Sequence, residues 1–61
     1  MIFELYEVWT EDSLGHQELV DTTSSIVEAR IIAEQALDDG AEYVIIYRET
    51  EDGELEVVEE M

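Results

Sequence analysis

The chain has 61 residues, with two basic side chains (both arginine) against 18 acidic ones, for a formal net charge of −16. This balance excludes direct nucleic-acid binding, whose affinity comes from basic groups displacing counterions from phosphate, and the same repulsion excludes anionic membrane surfaces. A domain of this length buries only about 60% of its unfolded surface and is marginal without a staple or a partner; with no cysteine, neither a disulfide nor a thiolate metal site supplies one.

Apolar residues make up 46% of the chain, proline is absent, and the apolar positions fall in periodic segments. High charge alone favours disorder, but this content and pattern argue for one small folded domain. No stretch approaches the roughly 18 apolar residues of a membrane span, and the first seven residues have neither the basic start nor the apolar run of a signal peptide. A cytoplasmic location is expected, in the host cell if the chain is viral.

Ile2 to Thr10 is rich in β-branched and aromatic residues and reads as a first strand. Asp12-Ser13-Leu14-Gly15 offers an acidic turn start and a glycine able to take positive φ, after which Gln17 to Thr22 returns antiparallel. Thr22 to Ser25 breaks the pattern. Ser25 with Glu28 three residues later is a capping-box signature at the head of a helix over Ile26 to Asp39, and Gly40 stands where a helix C-terminus needs left-handed backbone. On the helical wheel Ile26, Ala29, Ile32, Ala33, Ala36 and Leu37 share the side expected to pack on the sheet. Val27 and Ile31 fall on the opposite side among Glu28, Glu34, Gln35 and Asp38, an apolar pair inside an acidic rim and a candidate partner-binding patch.

Glu42 to Thr50, with Tyr-Val-Ile-Ile-Tyr-Arg inside it, is the strongest predicted strand. Asp52-Gly53 favours a two-residue type I′ hairpin, so Glu54 to Glu59 pairs back onto it. The expected fold is α+β, in the order β-β-α-β-β. The simplest unknotted solution is a four-stranded antiparallel sheet in the order 2-1-3-4 with one helix on one face.

One helix covers one side of such a sheet, so the other should be polar in a simple monomer. Instead both alternating sets are apolar. Phe3, Leu5, Val44, Ile46, Leu55 and Val57 supply a core beneath the helix, while Ile2, Tyr6, Val8, Tyr43, Ile45, Tyr47 and Val58 form the second face, the two sets being interchangeable at this stage. A tyrosine-bearing apolar face marks an interaction surface; Tyr6, Val8, Tyr43, Ile45 and Tyr47 are its candidate residues, covered by a second copy or another partner. The alternatives are cover by the C-terminal segment, or rings lying flat with their hydroxyls in water.

No reaction is legible. His16, the one histidine, has no serine or cysteine placed beside it by a motif and reads as a solvated turn residue. With 18 acids in 61 residues, paired carboxylates carry almost no information about a hydrolytic or metal site. The best calcium-loop frame, Gly53 at the sixth position and Glu59 at the twelfth, puts Arg48 and Thr50 where Asp or Asn are needed. No glycine-rich phosphate loop exists. The reading is therefore of a chain that is not an enzyme and takes no cofactor or specific metal.

The charge itself is the remaining clue. A compact chain of this length has a radius of gyration of about 10.5 Å and a diameter of roughly 27 Å, across which duplex DNA carries on the order of 16 phosphate charges. A basic cleft that holds DNA could be filled by this domain, with carboxylates standing for phosphates and electrostatic steering making association fast. In size, acidity and lack of catalytic residues the chain resembles the DNA-mimic inhibitors encoded by phages and mobile elements, including some anti-restriction and anti-CRISPR proteins. That resemblance implies a basic, nucleic-acid-binding protein as partner. The candidate carboxylates are Glu49, Glu51, Asp52, Glu54 and Glu56, with Glu59 and Glu60 in the same hairpin, continued by Glu28, Glu34, Asp38 and Asp39 on the helix. The alternative is a small dimerising domain from a halophile, whose acidic, lysine-free coat is an adaptation to high salt and whose partner surface is the tyrosine face. An antitoxin-like neutraliser of a basic partner shares the mimic's physics.

Overall fold

The computed structural model describes residues 4–61, so the expectations for Ile2 and Phe3 lie outside the described residues. Strands β1 (Leu5–Glu11) and β2 (Gln17–Thr23), helix α1 (Ile26–Asp38), and strands β3 (Tyr43–Glu49) and β4 (Leu55–Glu60) follow one another along the chain. The strands form one antiparallel sheet in the order β2-β1-β3-β4, the α+β topology expected from the sequence.

The two hairpins are built alike. In the first, the Asp12 amide donates to the His16 carbonyl and the Gly15 amide to the Asp12 carbonyl, both at 3.0 Å. In the second, the Thr50 amide donates to Glu54 at 2.8 Å and the Gly53 amide to Thr50 at 2.9 Å. A side-chain oxygen of the residue opening each loop closes it further: Asp12 Oδ1 accepts from the His16 amide at 2.9 Å, and Thr50 Oγ1 from the Glu54 amide at 3.2 Å. Gly15 and Gly53 take φ of 85° and 83°, and among the described residues no non-glycine has positive φ. The expected type I′ turn at Asp52-Gly53 is thereby corrected. That turn needs positive φ at both central residues, whereas here a three-residue loop places only the glycine in the left-handed region.

The helix begins and ends as its caps dictate. Ser25 Oγ accepts from the Glu28 amide at 3.3 Å. Glu28 does not reach back to the Ser25 amide as a capping box would have it; Thr23 Oγ1 accepts from that amide at 3.2 Å and donates to Glu28 Oε2 at 3.2 Å, standing between the two. At the far end the Ala41 amide donates to the Ala36 carbonyl and Gly40, at φ 105°, donates to Leu37, which is the Schellman arrangement.

Packing follows the predicted helix face. Ala29 and Ala33 are fully buried against Tyr6, Val8, Val44 and Ile46, with Ile26, Ile32, Ala36 and Leu37 around them. Two alanines at the contact let the helix backbone approach the sheet closely. The helix lies over β1, β3 and β2, and its backbone does not come near β4. A helix about 10 to 12 Å across cannot cover four strands spaced about 4.8 Å apart.

The assignment of residues to sheet faces needs correction. Tyr6 and Val8 lie under the helix with Val44 and Ile46, as the pairings Tyr6 with Arg48 and Val8 with Ile46 require. They are core residues, not part of the second face. Leu5 pairs with Glu49, and Leu55 and Val57 pair with Glu49 and Tyr47, so these three sit on the open face and not beneath the helix. A bulge between Ile46 and Tyr47 leaves Val58 opposite no residue of β3, and the bulge shifts the alternation so that Met61 returns to the helix side, packed on the core.

Candidate functional site

On the open face the strands bring together side chains four elements apart in sequence. Trp9 of β1 pairs with Leu19 of β2 on one side and Ile45 of β3 on the other; Tyr47 lies between Glu7 of β1 and Val57 of β4. The Trp9 and Tyr47 rings meet edge to face with centroids 6.5 Å apart and planes at 88°, a favourable arrangement for their quadrupoles. Ile45 is 8% exposed yet belongs to no part of the helix-side core, because its cover comes from neighbours on the open face. Leu19, Tyr43, Leu55 and Val57 are exposed around this centre. Of the sequence-predicted second face, Tyr43, Ile45 and Tyr47 are therefore present. Trp9, Leu19, Leu55 and Val57 join them.

Carboxylates border the apolar centre. Glu7 and Glu11 of β1, Glu49 of β3 and Glu60 of β4 share the open face by register, and Glu7 Oε1 accepts from the Trp9 indole at 2.9 Å. Both arginines lie on the other side. Arg48 stands opposite Tyr6 and donates to Glu56 at 2.6 Å, which holds its guanidinium still more firmly charged than usual. Arg30 reaches from the helix to Glu59 at 3.0 Å. Among the described residues the open face thus carries negative charge only.

The hairpin carboxylates do not form one row. Glu49 and Glu60 belong to the open face, Glu51 and Asp52 to the loop, and Glu56 and Glu59 to the helix side, where the two arginines neutralise them. Glu54 closes the loop through its backbone. Glu34, Asp38 and Asp39 are exposed on the helix and its C-terminus, while Glu28 is engaged by Thr23. The molecule is also longer than a uniform sphere, measuring 37 × 21 × 15 Å with a radius of gyration of 11.4 Å. Over 37 Å a duplex carries about 22 phosphate charges, so the average charge density is about three-quarters of that of DNA.

Val27 and Ile31 are 60% and 48% exposed on the outer side of the helix. They form a two-residue patch, much smaller than the open face. An open cleft of about 390 Å³ lies where the first hairpin loop meets the helix C-terminus, with His16, Asp12 and Glu18 at its walls. His16 Nδ1 is 3.3 Å from Asp12 Oδ2, but Asp12 Oδ1 already serves the Leu14 and His16 amides. Among the described residues no group of three or more His, Asp or Glu side chains could hold a metal ion, and no helix is long and apolar enough to cross a membrane. Tyr6 donates to Glu4 at 2.9 Å, and this bond together with burial raises its phenol above the ordinary value. No family model, curated protein or solved structure matches the chain.

Proposed function

We propose that the chain is a non-enzymatic acidic interaction module that occupies the basic, nucleic-acid-binding surface of a partner protein, as a DNA-mimic inhibitor does. The observation that carries this reading is the uncompensated charge: the two arginines are spent on Glu56 and Glu59, leaving the open face, the loops and the exposed helix acids Glu34, Asp38 and Asp39 without a cationic partner among the described residues. A basic cleft meeting these acids gains attraction without having to displace internal ion pairs. With the lower average density over 37 Å, the reading rests on these unpaired carboxylates and not on a match to the duplex along its whole length.

The test is retention of purified DNA-binding proteins on the immobilised chain. They should bind at low ionic strength, leave as salt rises, and be displaced by duplex DNA; binding indifferent to DNA would remove the mimic reading. The smallness of the helix-side core, six buried residues among those described with β4 beyond the helix, favours a second reading, a halophilic domain that folds fully and dimerises only in molar salt. That reading requires helix content by circular dichroism to rise between dilute buffer and molar salt. A chain fully folded in dilute buffer rules it out.

A further inference from the structure

The open face combines an apolar centre with a border of one charge sign, and this combination selects its occupant. We propose that this face docks a basic protein segment, apolar at its centre and flanked by Lys or Arg, in preference to a second copy of the chain. The proposal rests on the reading of the chain as an acidic module for a basic protein, but the two fail separately in the experiment below.

Self-association is disfavoured by what the face carries. A face-to-face pair would bring Glu7, Glu11, Glu49 and Glu60 of each copy together, eight carboxylates with no cation among the described residues of either face. The face is also small: four strands about 4.8 Å apart and six or seven residues long at about 3.4 Å each give a flat footprint of roughly 450 Å², part of it taken up by those carboxylates. Apolar burial on that scale needs help from charge, and only a basic border supplies it. The centre is suited to such a partner because Trp9, Tyr47 and Ile45 are already packed on one another. Little side-chain freedom remains to be lost on binding, and aromatic anchors of this kind concentrate interface energy.

Trp9 is the one tryptophan of the chain, so its emission reports on this face alone. The probe is a synthetic amphipathic peptide with a leucine stripe flanked by lysines, titrated at 0.15 M salt. Wild type should bind it with a blue shift of Trp9 emission. Val57→Glu places a charge at an exposed position of the centre and should weaken binding at least tenfold, although the added negative charge would tighten a purely electrostatic association. Ile31→Glu makes the same charge change on the helix back and should not weaken it. Circular dichroism checks folding, and Leu55→Glu, on the same face, replaces Val57→Glu if that variant does not fold. The proposal is overturned if the open-face variant binds as tightly as wild type, if Ile31→Glu carries the loss instead, or if sedimentation at micromolar concentration and 0.15 M salt shows a dimer. A peptide that docks as described while DNA fails to displace DNA-binding proteins leaves the docking face standing and removes only the mimicry.

Discussion

Ile45 and Ile46 are neighbours at the centre of β3 whose side chains point to opposite faces, and their replacement by alanine measures how differently those faces are packed. Ile46 is fully buried between Val8 and the helix alanines. Removing three carbons there forfeits about 2.4 kcal/mol of transfer free energy at roughly 0.8 kcal/mol per carbon. A cavity beneath a helix held by its own caps collapses little, which brings the expected cost to about 4 kcal/mol. At Ile45 the same truncation opens toward solvent, so the transfer loss of about 2 kcal/mol stands nearly alone. The strand and the substitution are the same, so differences in β-propensity cancel. Urea unfolding followed by circular dichroism should therefore separate the variants by about 2 kcal/mol, a large share of the roughly 3 to 9 kcal/mol expected for a domain of this size. An equal or greater loss at Ile45 would show that the open face is packed as tightly as the helix face in the free protein, and the case for an uncovered docking surface would fall with it.

Three further outcomes follow from local geometry. Ser25→Ala removes the acceptor for the Glu28 amide and should cost about 1 kcal/mol in the same unfolding assay; no change would mean that Thr23 alone caps the helix. Gly40→Ala meets no neighbouring atom but must hold φ 105°, so a loss of about 1 kcal/mol would come from backbone alone, and a neutral result would show that the C-terminal turn re-forms without the left-handed residue. The raised Tyr6 phenol, held by its bond to Glu4 and by burial, binds its proton more tightly folded than unfolded. Its contribution to stability is therefore complete below the ordinary phenol value of about 10 and is lost as pH rises through the higher folded value. Tyr6→Phe should flatten the alkaline limb of thermal midpoint against pH, and an unchanged limb would place the alkaline sensitivity elsewhere.

Element order was legible because breaking residues stand between the elements: Asp12 and Gly15, Ser25, Gly40, and Asp52 with Gly53, the last marking the hairpin though not its turn type. Face assignment was not, and β1 shows why. Both of its alternating sets contain large apolar side chains, Tyr6 and Val8 in one, Leu5 and Trp9 in the other, so alternation of hydrophobicity could not orient it. The discriminating signal was charge. Glu7 and Glu11 share a set with Trp9, while Tyr6, Val8 and Thr10 carry none, and it is the uncharged set that lies under the helix. In β4 the obstacle was physical in a second way, since the bulge opposite Ile46 and Tyr47 changes the phase within a six-residue strand, and no turn or cap residue announces it.

An open face that carries carboxylates and no cation among the described residues gives salt opposite signs for the two associations weighed for it. Docking of a basic segment draws its advantage from attraction between exposed groups, which fades as the screening length falls from about 8 Å at 0.15 M to about 3 Å at 1 M. Pairing of two open faces is opposed by repulsion among eight carboxylates, and the same screening removes that opposition while leaving the apolar centre intact. The intramolecular balance moves with the second case: net −16 repels itself less in salt, so the thermal midpoint of the free chain should rise with sodium chloride. If the open face docks a basic segment as proposed, the carboxylates that attract it are among those whose mutual repulsion lowers the stability of the free chain. If the midpoint were flat from dilute buffer to 1 M, self-repulsion would be too weak to oppose pairing of two copies, and the preference for a basic partner over a second copy would lose its physical cause.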